Sequence, residues 1–307
     1  MDFNNIFTNP DQARRLPATG AGDFRTGFDY LYDEEMELAI SAAAATQRPL
    51  LVTGPTGCGK SALARSTAHR LGWRYLERVI NSRTEVSSLL WELDHVRRLQ
   101  DAQAKALDPR MLAYVRSSVL WLALDRYSAK DPMLLLDDNR ETSGSESLDP
   151  AVVLIDEIDK ADPDLPNNLL EVLGSLRFEV ADSARYVTCR DGVPLIVITS
   201  NDERDLPPAF VRRCVCLNLD QPDLAGVGAL HFPQHPEIVA AALELVEQLR
   251  VARPQGEQAQ GPSAAEFLDF IQACRELRVR RGSSHWRELA EACMLKGRAS
   301  AASLPSM

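Results

Sequence analysis

The chain has 307 residues, 45% of them hydrophobic and 25% charged, the balance of an ordinary globular protein with room for one large domain or two modest ones. Its 44 acidic residues outnumber 34 basic ones, and the formal net charge of −10 gives no electrostatic reason for nucleic-acid binding, though it leaves room for a local basic channel in an assembled ring. No stretch approaches the roughly 18 consecutive apolar residues of a membrane span, and the opening Met1-Asp-Phe-Asn-Asn5 lacks the basic and apolar regions of a signal peptide, so a cytoplasmic location is expected.

Residues 1–28 are mixed and punctuated by Gly and Pro, a lead-in rather than a domain. A helix is predicted over 33–46, followed by a short apolar strand at 49–53. The next eight residues are Gly54, Pro55, Thr56, Gly57, Cys58, Gly59, Lys60 and Ser61. They match the phosphate-loop pattern G-x-x-x-x-G-K-[ST] at every fixed position. Glycines let backbone N–H groups approach phosphate oxygens, Lys60 reaches the outer phosphates, and the Ser61 hydroxyl suits Mg²⁺. A helix predicted over 62–71 adds its positive N-terminal end to the same anion site. Strand, loop and helix in this order predict nucleoside triphosphate binding.

A second strand is expected at 73–80. Residues 84–130 are helical in composition, with 114–122 suited to an inserted hairpin, and 137–149 are Ser-, Gly- and acid-rich, as in a mobile loop. The run 151–155 is wholly apolar, as expected of a strand buried on both faces. A helix at 164–175, a hairpin from 178–180 and 185–188, and strands at 194–199 and 214–219 follow. Strands alternating with helices predict an α/β fold: a phosphate-loop NTPase parallel sheet flanked by helices. Beyond Pro222 only helices are expected, at 236–252, 263–278 and 284–297, giving a smaller all-helical lid domain over 222–297 and a disordered tail at 298–307. The α/β nucleotide-binding domain then covers 29–221.

Two carboxylates close the apolar run Val152-Val-Leu-Ile-Asp-Glu157. Acids at the end of a buried strand are costly without partners, which favours a catalytic reading: Asp156 to hold Mg²⁺ opposite Ser61, Glu157 to orient or deprotonate the attacking water. For the later acids, a helix-capping role for Asp159 or Asp162 is the ordinary explanation. Asn201 ends the next strand, where its amide suits either a phosphate contact or the opening of a turn. Arg212 and Arg213 close a short helical stretch before a strand; one of them suits a transition-state arginine, a role worth roughly 10³–10⁵ in rate in nucleotide hydrolases. The six cysteines and five histidines are dispersed and complete no metal site, so reduced structural thiols are expected.

The series GPTGCGKS, VVLIDEID, ITSND and LPPAFVRR, in that order and followed by a helical lid, resembles the AAA+ ATPases. Within them the chain looks most like the MoxR-type branch, through LIDEIDKADPDLPNNLLEVL and the turn before PPAFVRR. The resemblance spans about 30–295. It implies ATP and Mg²⁺ as ligands, ATP hydrolysis, and Asn201 as the sensor 1 residue. It implies that Arg213, with Arg212 as second choice, is a finger acting on a neighbouring subunit's nucleotide; this chain has Arg212-Arg213-Cys214 where the branch has Asp-Arg-Phe, which leaves the choice open. A sensor 2 arginine is expected among Arg278, Arg280 and Arg281, with Arg281 preferred, and an insert is expected at about 86–125. Asn81 fits the polar residue that restrains the catalytic Glu in some relatives. Tyr30 and Tyr32 fit either base packing or core. The resemblance further implies a homo-oligomeric, hexameric ring and a client protein, of which a von Willebrand factor A-domain protein is one type. A DNA-linked motor of restriction or defence type and a slow nucleotide-gated switch are the alternatives.

Overall fold

A computed structural model describes residues 29–136, 149–181, 183–251, 261–277 and 279–295. The predicted lead-in at 1–28, nearly all of the loop at 137–149, the tail at 298–307, Asp182 and Arg278 lie outside them.

Along the chain come α1 (Glu34–Thr46), β1 (Leu50–Thr53), α2 (Lys60–Leu71), β2 (Arg74–Val79), α3 (Val86–Leu90), β3 (Trp91–Leu93), α4 (His95–Gln103), β4 (Val115–Ser117), α5 (Val119–Leu124) and α6 (Arg126–Lys130). Then follow β5 (Ala151–Asp156), α7 (Leu165–Ser175), β6 (Arg177–Glu179), β7 (Tyr186–Thr188), β8 (Leu195–Ser200), α8 (Pro208–Val211) and β9 (Val215–Asn218). The C-terminal part is helical: α9 (Leu224–His231), α10 (Pro236–Val251), α11 (Ala264–Glu276) and α12 (Ser284–Ala290), the last running into a π-helical turn at Glu291–Leu295. The predicted fold class is the one observed.

Five strands form one parallel sheet in the order β2-β5-β8-β1-β9. Its two central apolar strands explain themselves. In β5 every residue but Asp156 is buried, and in β8 all six are, so each Val, Ile or Leu removed from water there contributes about 1.5–3 kcal/mol. A parallel arrangement brings all five carboxyl ends to one edge, where an α/β sheet binds ligands.

The described residues form two compact units. One is built from Asp33–Thr53 and Ala64–Asn218; its core gathers Val153, Ile155 and Ile198 with the fully buried Trp121 and Phe210, and Trp121 meets Phe178 edge-on at 6.0 Å. The other is built from residues 29–32, Gly54–Leu63 and the segment from Leu219 onward; its own core holds Leu245, Phe267, Phe270 and Trp286, with Phe270 and Trp286 edge-on at 4.8 Å.

Two local expectations need correction. Residues 114–122 do not turn back on themselves: β4 pairs antiparallel with the distant β3, and Val119–Leu124 is a helix with five of its six residues buried. Its Leu and Ala residues favour helix, and as a helix the run buries its apolar side chains in the first core. The helix α9 has no counterpart among the sequence expectations, because Gly226 and Gly228 weaken its helical signal. Close approach accounts for Gly228: a Cβ there would lie 2.7 Å from Val239 Cγ1 and 3.1 Å from the Phe267 ring. The hairpin expected after α7 is present as β6–β7, antiparallel, with Val180 N donating to Arg185 O.

Candidate functional site

The phosphate loop continues directly from the carboxyl end of β1 into α2. Its glycines carry the backbone through conformations other residues rarely adopt, with φ of 140° at Gly54, 80° at Gly57 and 104° at Gly59. The loop is packed from outside as well. A Cβ at Gly57 would fall 2.3 Å from the Cβ of Ser263, and Gly57 O accepts a hydrogen bond of 3.2 Å from Ala264 N, the first residue of α11. Ser263 caps that helix: its hydroxyl accepts from Glu266 N, and its own N–H donates to Glu266 Oε2 at 2.8 Å. A small cleft runs along the loop, bordered by Thr56, Cys58, Gln221, Leu224 and Pro262.

Lys60 is 7% exposed, and its Nζ donates to the carbonyls of Gly54 at 2.7 Å and Pro55 at 2.9 Å. Both partners are neutral. A buried ammonium whose partners among the described residues are carbonyls is a strong attractor for an anion, and a loop of positive-φ glycines around it suits a polyphosphate. The residues present therefore fit a nucleotide. Burial pushes the Cys58 thiol above its ordinary range, with Lys60 opposing. Tyr30, for which base packing and core were both open, sets its ring against Gly59, 3.1 Å from where a Cβ would be. Arg281 forms an exposed ion pair with Glu244 of α10.

At the sheet edge, β5 ends in Asp156 and Glu157, and its neighbour β8 ends at Ser200, just before Asn201. Thr199 ties the two strand ends together. Its hydroxyl donates to Asp156 Oδ1 and accepts from Glu157 N at 2.9 Å. Glu157 sits in the left-handed region at φ 61°, and its carboxylate pairs with Lys160 at 2.8 Å. That hydrogen bond raises the Lys160 ammonium above the usual lysine range. Asp156, Glu157 and Asn201 are thus brought to one sheet edge. Arg212 and Arg213 follow α8, and both are exposed.

Two further readings of the sequence are corrected here. Asp159 does not cap a helix; it is 3% exposed, and its Oδ2 accepts from Asn201 N at 3.3 Å and Glu203 N at 3.2 Å. Asn81 closes its own turn, with Oδ1 accepting from Arg83 N at 2.9 Å, so the carboxylate of Glu157 has Lys160 rather than Asn81 as its partner. Thr199 went unread in the sequence. Two hydroxyls, Thr199 and Ser200, end the otherwise apolar β8 and are its signal, but its partners appear only once β5 and β8 are known to be neighbours.

Comparison with known proteins agrees with this geometry. Residues 49–214, more than half of the chain, match the family model described as AAA domain (dynein-related subfamily). A stretch of 143 residues is 29% identical to the aerobic cobaltochelatase subunit CobS of Sinorhizobium sp, covering 45% of this chain and 43% of that relative. The chain therefore spans less than half the length of the curated relative it matches. No helix among the described residues is long and apolar enough to cross a membrane.

Proposed function

The chain belongs to the AAA domain family, dynein-related subfamily, and from that premise we propose that it is a Mg-dependent ATPase of MoxR type that works as a ring and remodels a partner protein. The observation that carries the hydrolase reading is the Asp156-Glu157 pair, held by Thr199 at the sheet edge where β1 also ends and passes into the phosphate loop. Gly54–Lys60 would cradle the phosphates through backbone N–H groups, and Lys60 would exchange its carbonyl partners for phosphate oxygens. Ser61 and Asp156 would hold Mg²⁺, whose chemistry is to neutralise and orient phosphate charge. Glu157 would take up the proton of the attacking water, and Asn201 would position that water or the terminal phosphate. Arg213, or Arg212 beside it, would reach a neighbouring subunit's nucleotide; the exposure of both side chains supports that role. Arg281 is the proposed sensor 2 residue, released from Glu244 when it engages phosphate.

In domain terms we assign 29–221 to nucleotide binding and 222–297 to the lid, with hydrolysis moving one against the other. The LIDEIDKADPDLPNNLLEVL segment supports the MoxR-type assignment. The name of CobS describes a subunit of a cobaltochelatase, which supports action together with a partner protein; a von Willebrand factor A-domain protein is the partner type we propose. The test is Glu157→Gln. This variant should hold ATP with near-normal affinity and lose most turnover, and near-normal hydrolysis by it would remove Glu157 from the mechanism. The same variant, locked with ATP, is the bait with which to capture the client.

A further inference from the structure

Building on the hydrolase reading, we propose that Asp159 is a positioning residue. It fixes the turn carrying Asn201 against the strand end carrying Glu157, and turnover depends on its hydrogen-bond acceptor rather than on its charge.

The argument starts from where the carboxylate goes. A capping aspartate accepts from amides of its own helical turn. Asp159 instead reaches to amides 42 and 44 residues further along the chain, those of Asn201 and Glu203. The side chain is 3% exposed, and its other oxygen, Oδ1, has no hydrogen-bond partner among the described residues. A buried carboxylate that leaves one oxygen unused is a poor choice for filling space. Its hydrogen bonds among the described residues are the two that Oδ2 accepts, and they point to a positioning role.

Those bonds close a loop of interactions. On one side Thr199 joins Asp156 and Glu157; on the other Asp159 joins Asn201 and Glu203. Two residues inside this loop, Glu157 at φ 61° and Asp202 at φ 55°, hold left-handed backbone without being glycine. Such conformations persist only where the surroundings fix them. Asp202 N is held by Ser200 Oγ at 3.0 Å, so the Asn201 turn is tied at three successive amides, two of them to Asp159. Removing Asp159 leaves the strands paired but frees the turn to drift relative to Glu157. A catalytic group displaced by about 1 Å can lose on the order of a hundredfold in rate.

The experiment compares Asp159→Ala and Asp159→Asn in the full-length chain. Asparagine keeps an acceptor oxygen and drops the charge. In the alanine variant kcat should fall at least about tenfold while the dissociation constant for ATP stays within about twofold, and asparagine should restore most of the rate. A well-folded alanine variant with normal kcat overturns the proposal, as does an asparagine variant as slow as alanine. Amide hydrogen exchange of the peptide spanning 200–204, measured without nucleotide, gives a second readout independent of turnover. It should be faster in the alanine variant and normal with asparagine; unchanged exchange in both overturns the link itself. If alanine prevents folding, the asparagine rate and exchange decide the matter. A wild-type chain with no turnover sinks the hydrolase reading separately, and the exchange comparison still shows whether Asp159 holds the turn.

Discussion

At Gly57, two independent demands meet on one residue. Its φ of 80° penalises any side chain, and the Ser263 Cβ occupies the place a Cβ would take. Gly57→Ala should therefore lower stability by roughly 1–3 kcal/mol and weaken ATP binding markedly, as urea denaturation and nucleotide titration would register. A variant with unchanged affinity would show that the loop yields without cost. The thiols offer a second check. Burial raises Cys58 and pushes Cys214 and Cys274 up to about 12, so at neutral pH these groups stay protonated and unreactive. Cys216 is exposed, and mass spectrometry should find it alkylated by iodoacetamide before the buried Cys58 and Cys274. The phosphate loop was legible in the sequence because its chemistry depends on local spacing alone. Thr199 and Asp159 were not, since each acts on residues about forty positions away along the chain, and only the β5–β8 pairing brings those partners near.

Among the elements, α11 shows how a helix end can serve two purposes. Ser263 and Glu266 form a reciprocal capping box, while the first helical amide, Ala264 N, donates to the phosphate-loop carbonyl of Gly57. Ser263→Ala should cost on the order of 1 kcal/mol of stability, a shift readable in thermal melts. A variant as stable as wild type would mean that the Gly57 contact alone holds the helix start. Sequence patterns captured the elements whose periodicity was strong: the buried runs of β5 and β8 and the long helices of the C-terminal part. They failed where tertiary contacts decided the outcome. The strand Val115–Ser117 finds its partner at Trp91–Leu93 across the whole of α4, and α9 accepts two glycines, one of which lets Val239 and Phe267 pack closely.

For the whole molecule, the proposed ring makes a demand on mixtures. Lys60→Ala removes the phosphate grip of a subunit but leaves its arginines, and Arg213→Ala does the reverse. Mixing the two inactive variants should recover part of the wild-type ATPase rate, because some neighbours then combine an intact loop with an intact arginine. No recovery from variants that assemble normally would count against Arg213 as the finger. The α/β class was legible from the alternation of strands and helices, whereas the strand order was not, since apolar runs do not say which neighbour they will choose. That order has a consequence for how the chain comes into being. The strand leading into the phosphate loop, Leu50–Thr53, is flanked in the sheet by Leu195–Ser200 and Val215–Asn218. During synthesis it leaves the ribosome before either neighbour and must wait, apolar and without its sheet partners, until they are made. The phosphate loop is thus translated well before the sheet around its strand can be finished, which makes that interval the one in which the nascent chain most needs shielding from aggregation.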